Sequence, residues 1–356
     1  MAPTLVIAGY YGFGNWGDEA ALSVLIRSLR DALPHARLVV LSNDPPQTAR
    51  LHSTDSINRW NPWEIHHALT RASAFILGPG GLLQDATSTR SLLYYLGLLR
   101  WAQRYGLPTY LIGQGIGPLR SQRSRGWVAQ TLQRAQLVLM RDRLSYEWAL
   151  ARGVRALLGE DLAVLVLAPN HAPLPRERAK LGLSLRPGLS PANIAVLRRA
   201  LRTLSKDFEL VFLPFQADQD LDVLQGLALT IPVAEVHRPD DLLQALSSVD
   251  VVLGMRLHSL VFALLCGVPF CALSYDPKIE SFLRRIEEVC AYPIRWWSTS
   301  DMLTEGALVQ QILELSARRV ELQERLRQAR TTLQMTAQRS LDEAIGVIAS
   351  DLGITS

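Results

Sequence analysis

The chain has 356 residues, more than one hydrophobic core usually organises, so two domains are expected before any motif is read. Apolar residues make up 48% and charged residues 20%, a composition that excludes both a disordered chain and a membrane-embedded one. A formal charge of +4, spread along the chain, predicts no nucleic-acid partner and is compatible with small anionic ligands.

The N-terminus runs directly into Thr4-Leu5-Val6-Ile7-Ala8, with no basic region and no small-residue cleavage site before a glycine-rich turn. We therefore read no export signal and expect a cytoplasmic protein. Short β-branched or Leu-rich runs at 5–8, 37–41, 74–77, 109–112, 137–140 and 155–158 alternate with helical patterns. That rhythm predicts parallel βα units. Glycine-rich turns at 12–17, 78–81 and 113–117 follow three of these strands, and parallel strands would gather all three on one edge.

The stretch 168–175, with its Pro, Asn and His, breaks the pattern and reads as a linker that closes an N-terminal domain over 1–168. A second α/β set is expected over 176–300, with strands at 183–185, 210–213, 233–236, 249–253 and 270–273. The longest apolar stretch, 249–275, contains Asp250, Arg256, His258, Gly267 and Pro269, and so reads as strand, loop and helix rather than as a membrane span. From 301 to 356 the spacing is helical. Its apolar stripe is interrupted at Thr331, Thr332 and Gln334, which favours helices packing back across the domains over a coiled coil that would build an oligomer. Cys266, Cys271 and Cys290 lie in or beside apolar runs without a CxxC pair, as expected of reduced, buried thiols.

The first turn carries Gly12, Gly14 and Gly17 in the G-x-G-x-x-G spacing of dinucleotide-binding folds, and Asp44 ends the second strand near where a ribose-binding acid would sit. Asp18 and Glu19 follow at once, however, at the helix start where a pyrophosphate would dock and would be repelled. These acids suit either the helix dipole or an uncharged hydroxylated ligand, as hydrogen-bond acceptors or as a base. After the second turn, Gln84 and Asp85 are expected just inside a helix, where they suit sugar hydroxyls or serve as simple helix-start groups.

The fifth strand runs into Arg141-Asp142-Arg143, which places a guanidinium where it can face an anion, the alternative being a surface pair of Arg141 with Asp142 or of Arg143 with Glu147. In Gly254-Met255-Arg256-Leu257-His258-Ser259, strand alternation through Leu257 would aim Arg256 and His258 the same way. Lys278 adds an ammonium after the next strand. A permanent cation beside a titratable histidine and a lysine predicts an anion site with acid–base capacity. No His, Cys and carboxylate set stands at metal-ligand spacing, so no metal is expected.

Taken together, the segments 9–19, 78–85, 113–118, 140–145, 254–259 and 275–278 resemble the polysaccharide pyruvyl transferase family of the CsaB type, and the likeness runs through most of the chain. The resemblance implies a GT-B-like fold, two Rossmann-like domains facing a cleft. It implies phosphoenolpyruvate as donor substrate with no further cofactor, and a saccharide acceptor. It assigns the donor to Arg141, Arg256, His258 and Lys278, with Arg143 as the alternative to Arg141. His258 becomes the candidate acid, Asp18 or Glu19 the candidate base, and Asn15, Asp18, Gln84 and Asp85 the candidate acceptor groups. Such a reading admits a lipid-linked acceptor and peripheral contact with the inner face of the membrane in cell-surface or exopolysaccharide synthesis. Here Gly78-Pro79-Gly80-Gly81 replaces the family's plain triple glycine, which stiffens the second turn. Two rivals share the fold: a nucleotide-sugar glycosyltransferase and a non-catalytic saccharide-binding protein.

Overall fold

The computed structural model describes residues 2–86, 88–169 and 177–354. Most of the linker expected over 168–175 lies outside them. The chain divides into two compact units, Met1–Leu165 with Gln334–Ser356, and Val166–Leu333.

The first unit contains strands β1 (Thr4–Ala8), β2 (Arg37–Ser42), β3 (Asp55–Asn58), β4 (Ala74–Leu77), β5 (Gly80–Leu83), β6 (Thr109–Ile116), β7 (Leu137–Met140) and β8 (Leu157–Leu158). They form one sheet in the order β3-β2-β1-β4-β6-β7-β8, with β5 also paired to β6, and every pairing is parallel. Strands covered on both faces must be apolar along their length, which is why β1 and β4 are buried almost throughout.

Two strands were not expected. β3 is polar and half-exposed at the sheet edge, so it carries no hydrophobic run to betray it. β5 falls where a turn was read: the chain leaves β4 at Leu77, passes Gly78 and Pro79, and resumes pairing with β6 at Gly80 opposite Gln114. The second glycine segment is thus an interruption within a strand path. The third glycine segment likewise lies within a strand path, since β6 continues to Ile116 with an irregularity at Gly113, whose φ is +68°.

The second unit contains β9 (Ala179–Ser184), β10 (Phe208–Phe212), β11 (Val251–Gly254), β12 (Phe270–Ser274) and β13 (Trp296–Ser298), again all parallel, in the order β10-β9-β11-β12-β13. The strand expected over 233–236 reduces to a single bridge between Val233 and Phe212. Pro232 cannot donate to a ladder, and Val233 is 42% exposed, so nothing extends the pairing. β13 escaped the sequence reading because its three residues are too few to show a period.

The tail forms two helices, Glu305–Ala317 and Arg319–Asp351. In the longer one Leu322, Leu326, Ala329 and Leu333 are buried before the unit boundary, and Ala337, Leu341, Ala344, Ile345 and Ile348 after it. The polar interruption at Thr331, Thr332 and Gln334 falls at the changeover itself. The three cysteines are free thiols, and burial pushes Cys266 and Cys271 up to about 12. Among the described residues no helix is long and apolar enough to cross a membrane.

Candidate functional site

In parallel sheets the strand ends that carry loops into the following helices form the binding edge. On unit 1 the glycine segments after β1 and β4 and within β6 lie on adjacent strands of that edge. Gln114 ties two of them together, its Nε2 donating to the Gly78 carbonyl. Arg141 follows β7 and is 7% exposed, and its guanidinium lies across the glycines of β5 and β6. A methyl group at Gly115 would stand 2.9 Å from Arg141 Nε, and one at Gly81 3.2 Å from Nη2. A side chain at Gly115 would force Arg141 to shift, and one at Gly81 would press it by a few tenths of an ångström.

Neither local pair, Arg141 with Asp142 or Arg143 with Glu147, forms among the described residues, and Arg141 is held from elsewhere. Its Nη1 donates to Asp161 Oδ2 at 2.8 Å, and both side chains are buried. Asp142 instead caps the helix Arg143–Leu150, accepting from the Ser145 N–H at 2.8 Å. Arg143, the alternative to Arg141, is exposed on that helix's first turn.

The carboxylates after the first turn separate in character. Glu19 is 2% exposed, and both its oxygens are engaged inside the unit: Oε1 accepts from the Gly12 N–H at 2.7 Å, and Oε2 lies 2.8 Å from His52 Nε2. It fixes the glycine turn rather than facing a ligand. Asp18 is 8% exposed and abuts Gly80, where an added methyl would stand 3.5 Å from its Oδ1. The Tyr11 phenol beneath them is pushed well above its ordinary range, by burial first and then by Asp18 and Glu19. Asn15 precedes the helix Trp16–Ala32 as its cap, yet its side chain makes no capping hydrogen bond.

Gln84 and Asp85 are not at a helix start, since the next helix begins at Thr89. Asp85 accepts from the N–H of Arg120 at 2.6 Å and of Ser121 at 3.2 Å. Burial opposes its charge, but these bonds and one from Ser124 prevail and hold the carboxyl below its ordinary value of 3.8. Asp85 clamps the loop after β6. Gln84 is half-buried beside it.

On unit 2, β11 stops at Gly254 and Arg256 caps the helix Leu257–Cys266 with φ −88° and ψ 133°. His258 is therefore a helical residue one position inside, and the alternation reading of Arg256-Leu257-His258 fails. The two residues share this strand end because a cap and a first helical turn are neighbours. Arg256 Nε donates to Asp220 Oδ1 at 3.0 Å and Nη2 donates to the same oxygen. Nη1 reaches Gln216 Oε1 at 3.2 Å and Nη2 reaches Gln219 Oε1 at 3.3 Å. Four of the five guanidinium N–H groups are thus committed, and one on Nη1 has no partner among the described residues. Burial raises the Asp220 carboxyl, and Arg256 works against that rise. On the neighbouring strand, Asp276 caps the helix Pro277–Cys290, and Lys278 Nζ lies 3.4 Å from its carboxylate.

A family model for polysaccharide pyruvyl transferase matches residues 15–277. The chain belongs to that family. No curated protein matches it. Among solved structures it is similar to Staphylococcus aureus MnaA in complex with UDP, at 12% identity over 100% of this chain and 98% of that one, with a TM-score of 0.67. It also resembles the Neisseria meningitidis UDP-GlcNAc 2-epimerase bound to UDP-GlcNAc (11%, 96% and 99%, TM-score 0.61) and a glycosyltransferase from Rickettsia africae (11%, 100% and 100%, TM-score 0.62). These likenesses give this pyruvyl transferase family member the GT-B class of α/β fold, with two Rossmann-like units.

The sequence reading missed the groups that hold the cations of this family member. Asp161 and Asp220 stand far along the chain from Arg141 and Arg256, and neither lies in a motif. It also missed Arg59, 3% exposed, which donates to the Gly9 carbonyl at 2.6 Å with the rings of Phe13, Trp60 and Tyr94 within 5.0 Å of its guanidinium. A lone Arg in a polar loop gives no local signal.

Proposed function

We propose that the protein transfers the pyruvyl group of phosphoenolpyruvate to a saccharide and forms a pyruvate ketal, as the CsaB-type resemblance implies. The reading is carried by membership of the family together with the placing of Arg256, His258 and Lys278 at adjacent strand ends of one sheet. The donor bears a carboxylate and a phosphate close together and needs several cations to hold both. In this reaction His258 protonates the methylene carbon of the enol, a saccharide hydroxyl adds to the resulting oxocarbenium carbon, and phosphate leaves. A second hydroxyl closes the ketal. Arg256 and Lys278 hold the donor. On unit 1, Arg141 is assigned to the donor, and Asp18 and Asn15 to the acceptor, with Asp18 the candidate base. Glu19 and Asp85 serve as loop supports.

The decisive experiment incubates the protein with phosphoenolpyruvate and candidate saccharides, including lipid-linked ones. It follows phosphate release together with the mass gain of one pyruvyl ketal. Phosphoenolpyruvate should also raise the melting temperature, because it binds the folded state. Stabilisation and turnover by a nucleotide sugar instead would establish the glycosyltransferase rival. Activity that depended on added NAD would restore the dinucleotide reading of Gly12, Gly14 and Gly17. Activity is expected to persist in the presence of chelators.

A further inference from the structure

β9 is the strand of unit 2 that lies between β10 and β11, and two polar groups at its C-terminal end are left without partners. The Ser184 hydroxyl, on the last residue of β9, is buried with no hydrogen-bond partner, and so is Arg186 Nε two residues later. Neither group belongs to a segment that carries the family resemblance. The guanidinium of Arg186 stacks on Tyr275, its Cζ 4.1 Å from the ring centroid, and Lys278 Nζ lies 5.8 Å from the same centroid. The two cations are therefore no more than about 10 Å apart, a separation comparable to the Debye length of about 8 Å at physiological ionic strength. Lys278 is partly offset by Asp276 at 3.4 Å, whereas Arg186 makes no ion pair among the described residues.

Buried donors without partners cost stability, and they persist where a ligand supplies the missing acceptor. A half-buried arginine fixed on an aromatic ring with its Nε desolvated is organised in advance for an oxyanion. We propose that Ser184, Arg186 and Lys278 form a phosphate subsite at the end of β9 and β12, with Tyr275 as the platform that holds Arg186. Three separate donors match the three terminal oxygens of a phosphoryl group better than the two of a carboxylate. Arg256, with one N–H to spare, is left to the donor's carboxylate. This assignment rests on the donor reading given above. It adds Arg186 and Ser184 as binding residues, and it divides the two anionic groups of phosphoenolpyruvate between two places on the same sheet edge.

The test measures binding of three probes, phosphoenolpyruvate, inorganic phosphate and pyruvate, by calorimetry to the full chain and to Arg186→Gln, Arg186→Lys and Ser184→Ala. Melting temperatures without ligand are taken on the same preparations. Arg186→Gln is expected to weaken phosphoenolpyruvate and phosphate by about tenfold to a hundredfold, as loss of a charge-assisted contact does, and to leave pyruvate unchanged. Arg186→Lys, which keeps a cation over the ring, should recover part of the loss without a change in unliganded melting temperature. Wild-type affinity for both phosphate-bearing probes in Arg186→Gln would overturn the subsite and leave the donor reading standing. Loss of pyruvate binding with phosphate binding intact would also overturn it, since the site would then belong to the carboxylate. If the wild-type protein binds phosphate in an Arg186-dependent way but not phosphoenolpyruvate, the donor reading falls and the subsite stands. Binding of none of the probes would overturn both.

Discussion

Removal of Asp220 tests how the sheet edge of unit 2 holds its principal cation. The carboxylate is fully buried, the Arg256 side chain is 11% exposed, and Asp220 also accepts from the N–H groups of Phe215 at 3.0 Å and Gln216 at 2.9 Å. Asp220→Ala leaves an uncompensated, largely buried guanidinium and two orphaned amides. Breaking a buried pair from one side costs about 3–5 kcal/mol, and the amides keep the figure in the upper part of that range. For a unit of this size, about 2–4 °C per kcal/mol converts a loss of about 4–5 kcal/mol into a fall in Tm of roughly 8–20 °C. Replacing a buried ion pair by apolar residues of similar volume is often neutral or stabilising, so the pair is read as a means of placing Arg256. The double variant Asp220→Leu with Arg256→Met is accordingly expected to melt well above Asp220→Ala, while losing phosphoenolpyruvate binding. Thermal unfolding of Asp220→Leu, Arg256→Met and the double variant beside wild type completes a mutant cycle. A Tm for Asp220→Ala within about 2 °C of wild type, or a double variant less stable than the single one, would refute this account of the pair.

Replacing His258 with Gln should retain donor binding and unliganded Tm while lowering turnover by roughly 10²–10⁴-fold; wild-type turnover would remove it as the acid. Gly115→Ala brings a methyl to 2.9 Å from Arg141 Nε, and the forced shift is expected to cost about 1–3 kcal/mol and to weaken donor binding. Unchanged affinity and denaturation midpoint would show that the guanidinium does not need this glycine. Asp85→Asn addresses pH dependence. Because its folded carboxyl titrates below the ordinary value of 3.8, its contribution is fully present above that value and is lost as pH falls through the folded pKa. The stability gap between wild type and Asp85→Asn, read from urea melts, should be constant at neutral pH and shrink below about pH 4; a gap independent of pH would contradict the hydrogen-bond origin of the shift.

Much of this molecule was legible along the chain. Buried parallel strands need continuous apolar runs, so β1, β2, β4, β6 and β7 announced themselves, and the glycine segments marked one edge of their sheet. The jointly occurring segments around Gly12, Arg141, Arg256 and Lys278 pointed to the family that the comparison established. These signals are local, set by periodicity and by the steric needs of turns. What the tertiary structure alone decided is which group each cation meets. Arg141 bypasses its neighbour Asp142 for Asp161, and Arg256 finds Asp220 on a different segment, because those pairings depend on strand order and on the path of the chain between strands. The same holds for Asp85, drawn to the backbone of Arg120 and Ser121, and for Arg186, whose stacking on Tyr275 spans β9 to β12. The end of β11 was legible, since pairing expected to stop at 253 stops at Gly254, but the immediate start of the helix at Leu257, which makes Arg256 a cap and His258 a first-turn residue, was not, because an apolar run suits either element.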